Sequence, residues 1–321
     1  EITTRLVGSE MCIRDRCLLV WLVPLPRPFV LGACFALIGA LLSSTPPFQN
    51  AMAMDANRCG IPVVYGFCRG VGSVSYAAAV LLLGFVLERH APTLLLPVFA
   101  ALTACGLIAM AGFRLPERPD EAADRPAEHR SIAAVLRSHP RFALTLLGCM
   151  FFFLTHTISN TYMNALVGKA GGTASAVGTS LAISAVLELP AMTLVSRLQK
   201  RFSPGFFLRF AAGAEVVKFL IFYLAHSMPL IYLGQCMQFF QFAVYAPATV
   251  YYVAAALPER DQLKGQSLIY VAGSGLGGAL GNLLGGRLLD RSGIQAALLL
   301  GTVSAAASLL TFCLSTRKDS R

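Results

Sequence analysis

Apolar runs of 21 to 25 residues alternate with short polar connections along nearly the whole chain, at about 28–51, 64–87, 92–113, 141–161, 175–196, 204–226, 229–253, 266–289 and 294–314. A helix rises about 1.5 Å per residue, so each run is long enough to cross a bilayer. The pattern predicts an all-α polytopic membrane protein with nine complete transmembrane helices. Residues 17–25, CLLVWLVPL, are too short to span and read as the remnant of a further helix. Residues 1–16 are locally charged and turn apolar abruptly at Cys17. They read as a non-native, adapter-like segment and are set aside from fold reasoning.

Two patterns organise these helices. Gly273, Gly277, Gly281 and Gly285 recur every four residues, which places four bare backbone positions on one helix face where a neighbouring helix can approach closely. The same run contains G-x-G-x-x-G at Gly273, Gly275 and Gly278. It lacks the preceding strand, the soluble βαβ unit and the later acidic residue of a dinucleotide site. The second pattern is a repeat. Gly84-Phe-Val-Leu-Glu88-Arg89 and Gly286-Arg-Leu-Leu-Asp290-Arg291 share one form 202 residues apart, and the same shift carries run 28–51 onto 230–253 and run 92–113 onto 294–315. Two similar halves follow, as in transporters built from repeats. The repeat also implies a twelve-helix parent of which this chain is a fragment, with nearly three helices missing in front.

Composition narrows the class. With 56% hydrophobic and 13% charged residues and a mean hydropathy of +0.65, the chain is far more apolar than a soluble domain. The net charge of +10 does not mark a nucleic-acid binder, because the basic residues sit between apolar runs and form no single patch. Nine scattered cysteines form no C-x-x-C pair, so neither a zinc site nor a disulfide framework is indicated. No phosphate loop, H-E-x-x-H or G-x-S-x-G elbow occurs, so no enzyme, cofactor or metal is expected.

Charge between the runs sets the expected orientation. The connections 55–69, 114–141, 197–209 and 260–264 and the tail hold 17 Lys and Arg, against 5 on the opposite side. By the positive-inside rule the first set, with the C-terminus, is cytoplasmic. The domains then read as 17–113, the remainder of an N-terminal bundle; 114–140, a cytoplasmic linker with one surface helix around Ser131–Arg137; 141–315, a C-terminal six-helix bundle; and 316–321, a cytoplasmic tail.

Polar groups inside spans are costly, about 2.5–3.5 kcal/mol for a charge on insertion scales, so each requires a reason. Glu188 lies mid-span, two residues before Pro190. It either binds solute or a proton, or pairs with Lys218. Glu215 and Lys218 are three apart and share one face of their helix, where they can neutralise each other. His156, Asn160 and Asn164 follow at four-residue spacing as a polar stripe, with His156 either a proton shuttle or a hydrogen-bonded structural group. Gln235, Gln238, Gln241 and Tyr245 form a second stripe. Arg69 begins its span, where a basic residue can anchor the helix at the interface, and Tyr76 lies two turns along the same face.

The chain resembles the major facilitator superfamily, in its lactose-permease-like branch, which includes phenylpropionate and nucleoside permeases. The residues that carry the likeness are Tyr65-Gly66 with Arg69 and Gly72-Ser73, Glu188-Leu-Pro190-Ala-Met192, and the loop from Pro258-Glu-Arg260 to Gly265-Gln. The resemblance implies two six-helix bundles, solute contact at Glu188, Arg69 and Tyr76, and a proton-pathway base at Lys218. Asn50 stands where the branch has a carboxylate. Gln238 and Gln241 stand where lactose permease has a histidine and a carboxylate, and neither glutamine titrates.

The expected function is a permease of the plasma membrane, acting as a monomer among lipids. It would move a small organic solute such as a sugar, nucleoside or aromatic acid by alternating access, coupled to protons through Glu188, Glu215 and Lys218. Facilitated diffusion, and a transporter-fold sensor or scaffold without transport, are the alternatives.

Overall fold

The computed structural model describes residues 61–87, 95–111 and 131–317, together with Gly39, Pro46, Phe48, Gln49, Asn50, Met52, Ala53, Ala56, Asn57, Cys59 and Gly60. Every regular element among them is helical. The segment 1–16, the remnant 17–25, most of run 28–51, the motif pair Glu88-Arg89, linker residues 114–130 and the tail beyond Arg317 lie outside the described residues.

In chain order the helices are α1 (Tyr65–Leu87), α2 (Leu95–Ala111), the short α3 (Ile132–Ser138), α4 (Pro140–Thr161), α5 (Met163–Lys169), α6 (Ala174–Leu198) and α7 (Pro204–Leu224). There follow α8 (Met228–Cys236), a 3-10 turn (Met237–Phe239), α9 (Phe242–Ala256), α10 (Glu259–Tyr270), a π-helical segment (Val271–Gly277), α11 (Gly278–Ser292) and α12 (Ile294–Ser315). Among the described residues five helical stretches, Pro140–Thr161, Ser175–Leu198, Met228–Ala256, Glu259–Ser292 and Ile294–Ser315, are long and apolar enough to cross a membrane. Local chemistry sets their ends. Ser131 and Ser203 accept hydrogen bonds from Ala134 N and Phe206 N, and Pro140 and Pro204 occupy first-turn positions where no N–H is needed. Gly293 adopts φ +76°, which a side chain would resist, and separates α11 from α12.

The chain divides into two compact units, residues 1–63 with 82–127, and residues 64–81 with 128–321. In the first, Gly60 at φ +80° lets Ile61 N reach back to Ala56 O at 3.0 Å. Asn57 ties the same turn together, its Nδ2 donating to Val63 O and its Oδ1 accepting from Val63 N, both at 2.9 Å.

In the second unit α4 is the central post, packed against α12, the π segment and α11, while α7 packs against α12 and α9 and α6 against α8 and α9. Its core is aromatic: Phe152 stacks on Tyr245 at 3.9 Å, with Phe142, Phe219, Phe222 and Phe312 fully buried. Lipid tails give helices no hydrophobic reason to associate, so close packing and hydroxyls join them. Ser304 and Ser308 of α12 donate to Phe151 O (2.9 Å) and Gly148 O (3.0 Å) of α4. Ser304→Ala should lower stability by about 0.6 kcal/mol, the average for such bonds within membranes. A thermal-unfolding comparison in detergent checks this, and an unchanged midpoint would mean the bond contributes nothing.

The glycine column faces α4. A methyl added at Gly273 would lie 2.7 Å from Phe153 Cδ2, at Gly281 2.7 Å from Leu154 O, at Gly285 2.6 Å from Tyr162 Cε2, and at Gly277 it would collide with Met150 O. On α1, Gly66 N donates to Ser196 Oγ of α6 at 3.0 Å, and a methyl on Gly70 would lie 2.6 Å from Leu189 Cα of the same helix.

One expectation is corrected. The stretch from Pro258 to Gln266, read as a loop, is the helix α10 from Glu259 onward, continuous with the span that follows. Its low hydropathy suggested a connection, yet Glu259 and Asp261 in the first turn favour a helix start through the helix dipole.

Candidate functional site

Within the second unit, α1, α4, α6, the 3-10 turn and the start of α9 enclose a cavity of about 360 Å³. Six of the residues singled out in the sequence line it: Arg69, Tyr76, His156, Asn160, Glu188 and Gln238. Periodicity explains how they converge. Arg69, Ser73 and Tyr76 succeed one another at four and three residues on α1, His156 and Asn160 at four on α4, and Ser184 and Glu188 at four on α6.

Glu188, 8% exposed, is the most elaborately held of these groups. Ser73 Oγ donates to its Oε2, and Gln238 Nε2 donates to its Oε1 at 3.0 Å. Gln238 Oε1 in turn accepts from Lys218 Nζ at 2.8 Å. A carboxylate on the cavity wall is thereby linked through one neutral amide to an ammonium that is 2% exposed and also lies 5.6 Å from the centre of the Phe222 ring. The anticipated Glu188–Lys218 pair is bridged by Gln238 and is not a direct contact.

His156 stacks on Phe242, with ring centres 4.3 Å apart and planes 10° from parallel. Asn160 Nδ2 donates to His156 O at 2.9 Å and lies 3.1 Å from His156 Nε2, which assigns the ring proton to Nδ1 when that nitrogen accepts. Nδ1 has no hydrogen-bond partner among the described residues.

The other named residues lie elsewhere. Asn164 is exposed on α5, because α4 ends at Thr161 and Tyr162 (φ −103°, ψ 19°) breaks the stripe. Tyr162 Oη donates to Asn282 O of α11 at 2.6 Å, a tertiary contact accompanying the break. Asn50 is buried in the first unit, 5% exposed. Gln235 points away, its Nε2 donating to Met163 Sδ at 3.7 Å. The 3-10 turn separates the remaining glutamines, so Gln241 leaves the cavity and donates through Nε2 to Glu215 Oε1 at 3.0 Å. Glu215, Lys218 and Gln241 therefore sit behind the cavity wall, all at most 2% exposed. Sequence reasoning missed Ser73 and Ser184 as cavity residues, although their spacing from Arg69 and Glu188 contained the signal.

The chain is 27% identical over 286 residues to the maltose permease of Geobacillus stearothermophilus, covering 88% of this chain and 71% of the permease. Among solved structures, it matches a variant of the Escherichia coli fucose:proton symporter FucP at a TM-score of 0.66, with 15% identity over 98% of this chain and 84% of that one. It matches the nucleoside transporter NupG at 0.64, with 14% identity over 100% of this chain and 83% of that one. The structural likenesses establish the fold. The sequence profile of the MFS_1 like family matches residues 18–300, and the chain belongs to that family: it is a multi-pass transporter of the plasma membrane and not an enzyme.

Proposed function

We propose that this chain carries a small polyhydroxylated solute, a sugar in the first instance, by alternating access and in symport with protons. The observation that carries the reading is the double membership of Glu188. It is a wall of the cavity and, through Gln238, the end of a network reaching the buried Lys218. A solute hydroxyl that competes for Glu188 loosens Gln238, and Gln238 is the amide that Lys218 holds. Binding at the wall and charge behind it are therefore linked.

Tyr76 supplies an aromatic edge for a sugar ring, and Arg69, Asn160 and Ser184 supply donors and acceptors around it. The volume of about 360 Å³ lies at the small end of the range for ligand cavities, about 300–1,000 Å³. Similarity to a maltose permease supports a sugar; similarity to a nucleoside transporter keeps nucleosides, which carry a sugar ring, in the panel. The transporter acts as a monomer with its C-terminus in the cytoplasm, the orientation that the loop charges favour.

A second reading, facilitated diffusion, is favoured by Gln238 and Gln241, neither of which titrates. Proteoliposomes separate the two. Mono- and disaccharides, nucleosides and aromatic acids are offered with and without an inward proton gradient. Sugar uptake that is driven by the gradient and collapsed by a protonophore is the expected result. Uptake indifferent to the gradient replaces symport by a uniporter, and a panel with no uptake moves the protein to the sensor reading.

A further inference from the structure

A larger cavity, of about 590 Å³, lies in the second unit at the end where α4 and α7 begin and α9 and α12 finish. It shares no lining residue with the solute cavity. His139 and Arg141, on either side of Pro140, line it together with Pro204, Tyr252 and Ser315, and no acidic residue does so among those described. In the orientation proposed above, this end faces the cytoplasm.

Four helix ends meet here, so their partial charges bear on what the cavity attracts. The start of α4 has no side-chain cap, and its first bond runs from Ala143 N to His139 O at 3.1 Å. The N–H groups of Arg141 and Phe142 precede that bond and have no acceptor within the helix. At the start of α7, Ser203 Oγ accepts from Phe206 N at 3.3 Å. The ends of α9 and α12 carry the opposite sign and would repel an anion, yet their carbonyls already have donors. Gln262 Nε2 donates to Ala254 O at 3.2 Å and to Leu257 O at 3.1 Å, and Arg209 Nη1 donates to Thr316 O at 3.3 Å. The balance left towards the cavity is positive, and the full charge on its wall, the Arg141 guanidinium, has the same sign.

From this cavity we infer a second binding site, for a phosphate-bearing anion held by Arg141 and the opening turn of α4. A guanidinium fork matches two phosphate oxygens, and free N–H groups at a helix start suit the same group. The volume admits an organic phosphate as well as the bare ion. A soluble phosphate ester and the headgroup of an anionic lipid present this chemistry alike, and both can reach an end that lies at the membrane surface. The site needs no residue of the solute cavity and does not depend on symport. Its occupant would bridge the junction of α3 and α4 to the start of α7. That junction is already fastened on one side, where Val135 of α3 is fully buried in the core with Phe142 and its carbonyl accepts from His139 Nδ1 at 3.2 Å.

Thermal unfolding of the protein in phosphatidylcholine nanodiscs tests the site with inorganic phosphate, titrated against chloride at constant ionic strength. The midpoint should rise saturably. Arg141 is exposed, so its replacement leaves the core intact. Arg141→Gln should raise the half-saturating concentration by about tenfold or more, the loss expected for one hydrogen bond to a charged group. Arg197→Gln removes an equal charge from an exposed position in the last turn of α6, outside the cavity, and should leave the response as it was. In a second arm, phosphatidic acid replaces part of the phosphatidylcholine and no phosphate is added. A midpoint raised by phosphatidic acid and lowered again by Arg141→Gln names the lipid headgroup as the ligand, whereas a response to inorganic phosphate alone names a soluble one. No saturable rise in either arm, or a rise that Arg141→Gln leaves unchanged or that Arg197→Gln weakens equally, overturns the site.

Discussion

Sugar uptake is expected to fall about 10- to 150-fold in Glu188→Ala, while the protein still folds. A hydrogen bond to a charged group is worth about 1.5–3 kcal/mol, and each 1.4 kcal/mol is tenfold in binding. That is the loss if the carboxylate makes one such bond to the solute. The structure adds a second cost. Ser73 Oγ and Gln238 Nε2 both donate to Glu188 and lose their acceptor together, so the wall of the cavity loosens where the solute rests. Glu188→Gln distinguishes charge from shape. Its amide fills the same volume and keeps one acceptor, so a large loss in that variant assigns the effect to the carboxylate charge, and near-normal uptake assigns it to hydrogen bonding alone. Monodispersity and a thermal midpoint measured in parallel exclude unfolding. Normal uptake in folded Glu188→Ala would remove Glu188 from the solute site.

The second large effect is on stability. Gly277→Val should destabilise the protein by about 1–3 kcal/mol or more, the range for forcing side-chain atoms into a packed interior. The first added carbon at Gly277 meets the Met150 carbonyl oxygen of α4, and a backbone carbonyl cannot rotate aside as a long side chain would. Relief requires the α11 rod to move off α4, which also disturbs the contacts of Gly273 and Gly281. Gly213→Ala provides the contrast. A methyl there meets nothing within 4 Å, and the position is inside helix α7, so replacement should raise stability by about 0.5–1 kcal/mol. Thermal midpoints of the two variants should move in opposite directions; a Gly277→Val midpoint equal to that of the parent would show that α4 and α11 can part without cost.

Most of the fold was legible because membrane helices write themselves in long hydrophobic runs. The runs at 64–87, 92–113, 141–161 and 294–314 correspond to α1, α2, α4 and α12. What hydropathy does not encode is the local winding of a helix. Nothing apolar or polar about Tyr162 announces that α4 ends there, and no Pro or Gly marks the place, yet the break removes Asn164 from the stripe of His156 and Asn160. Gln238 and Gln241 were placed on one face by a spacing of three, and the 3-10 turn sends one to Glu188 and the other to Glu215. The cavity residues were legible where they sit on regular helix, as Arg69 and Tyr76 do. Ser73 entered only through the Gly72-Ser73 likeness and not as a site residue, because a hydroxyl is too common in spans to signal a partner until the carboxylate opposite it is known.

The π-helical segment from Val271 to Gly277 joins α10 to the glycine-lined α11. A wider turn of this kind holds a surplus residue relative to α-helix. Rewinding it to α geometry would feed that surplus onward, screwing α10 about its axis by about 100° and sliding it about 1.5 Å relative to α11. Gly281 and Gly285 would hold the α11 end on α4 by bare backbone through such a rewinding, so the turn would fall on α10 and present a different set of its side chains.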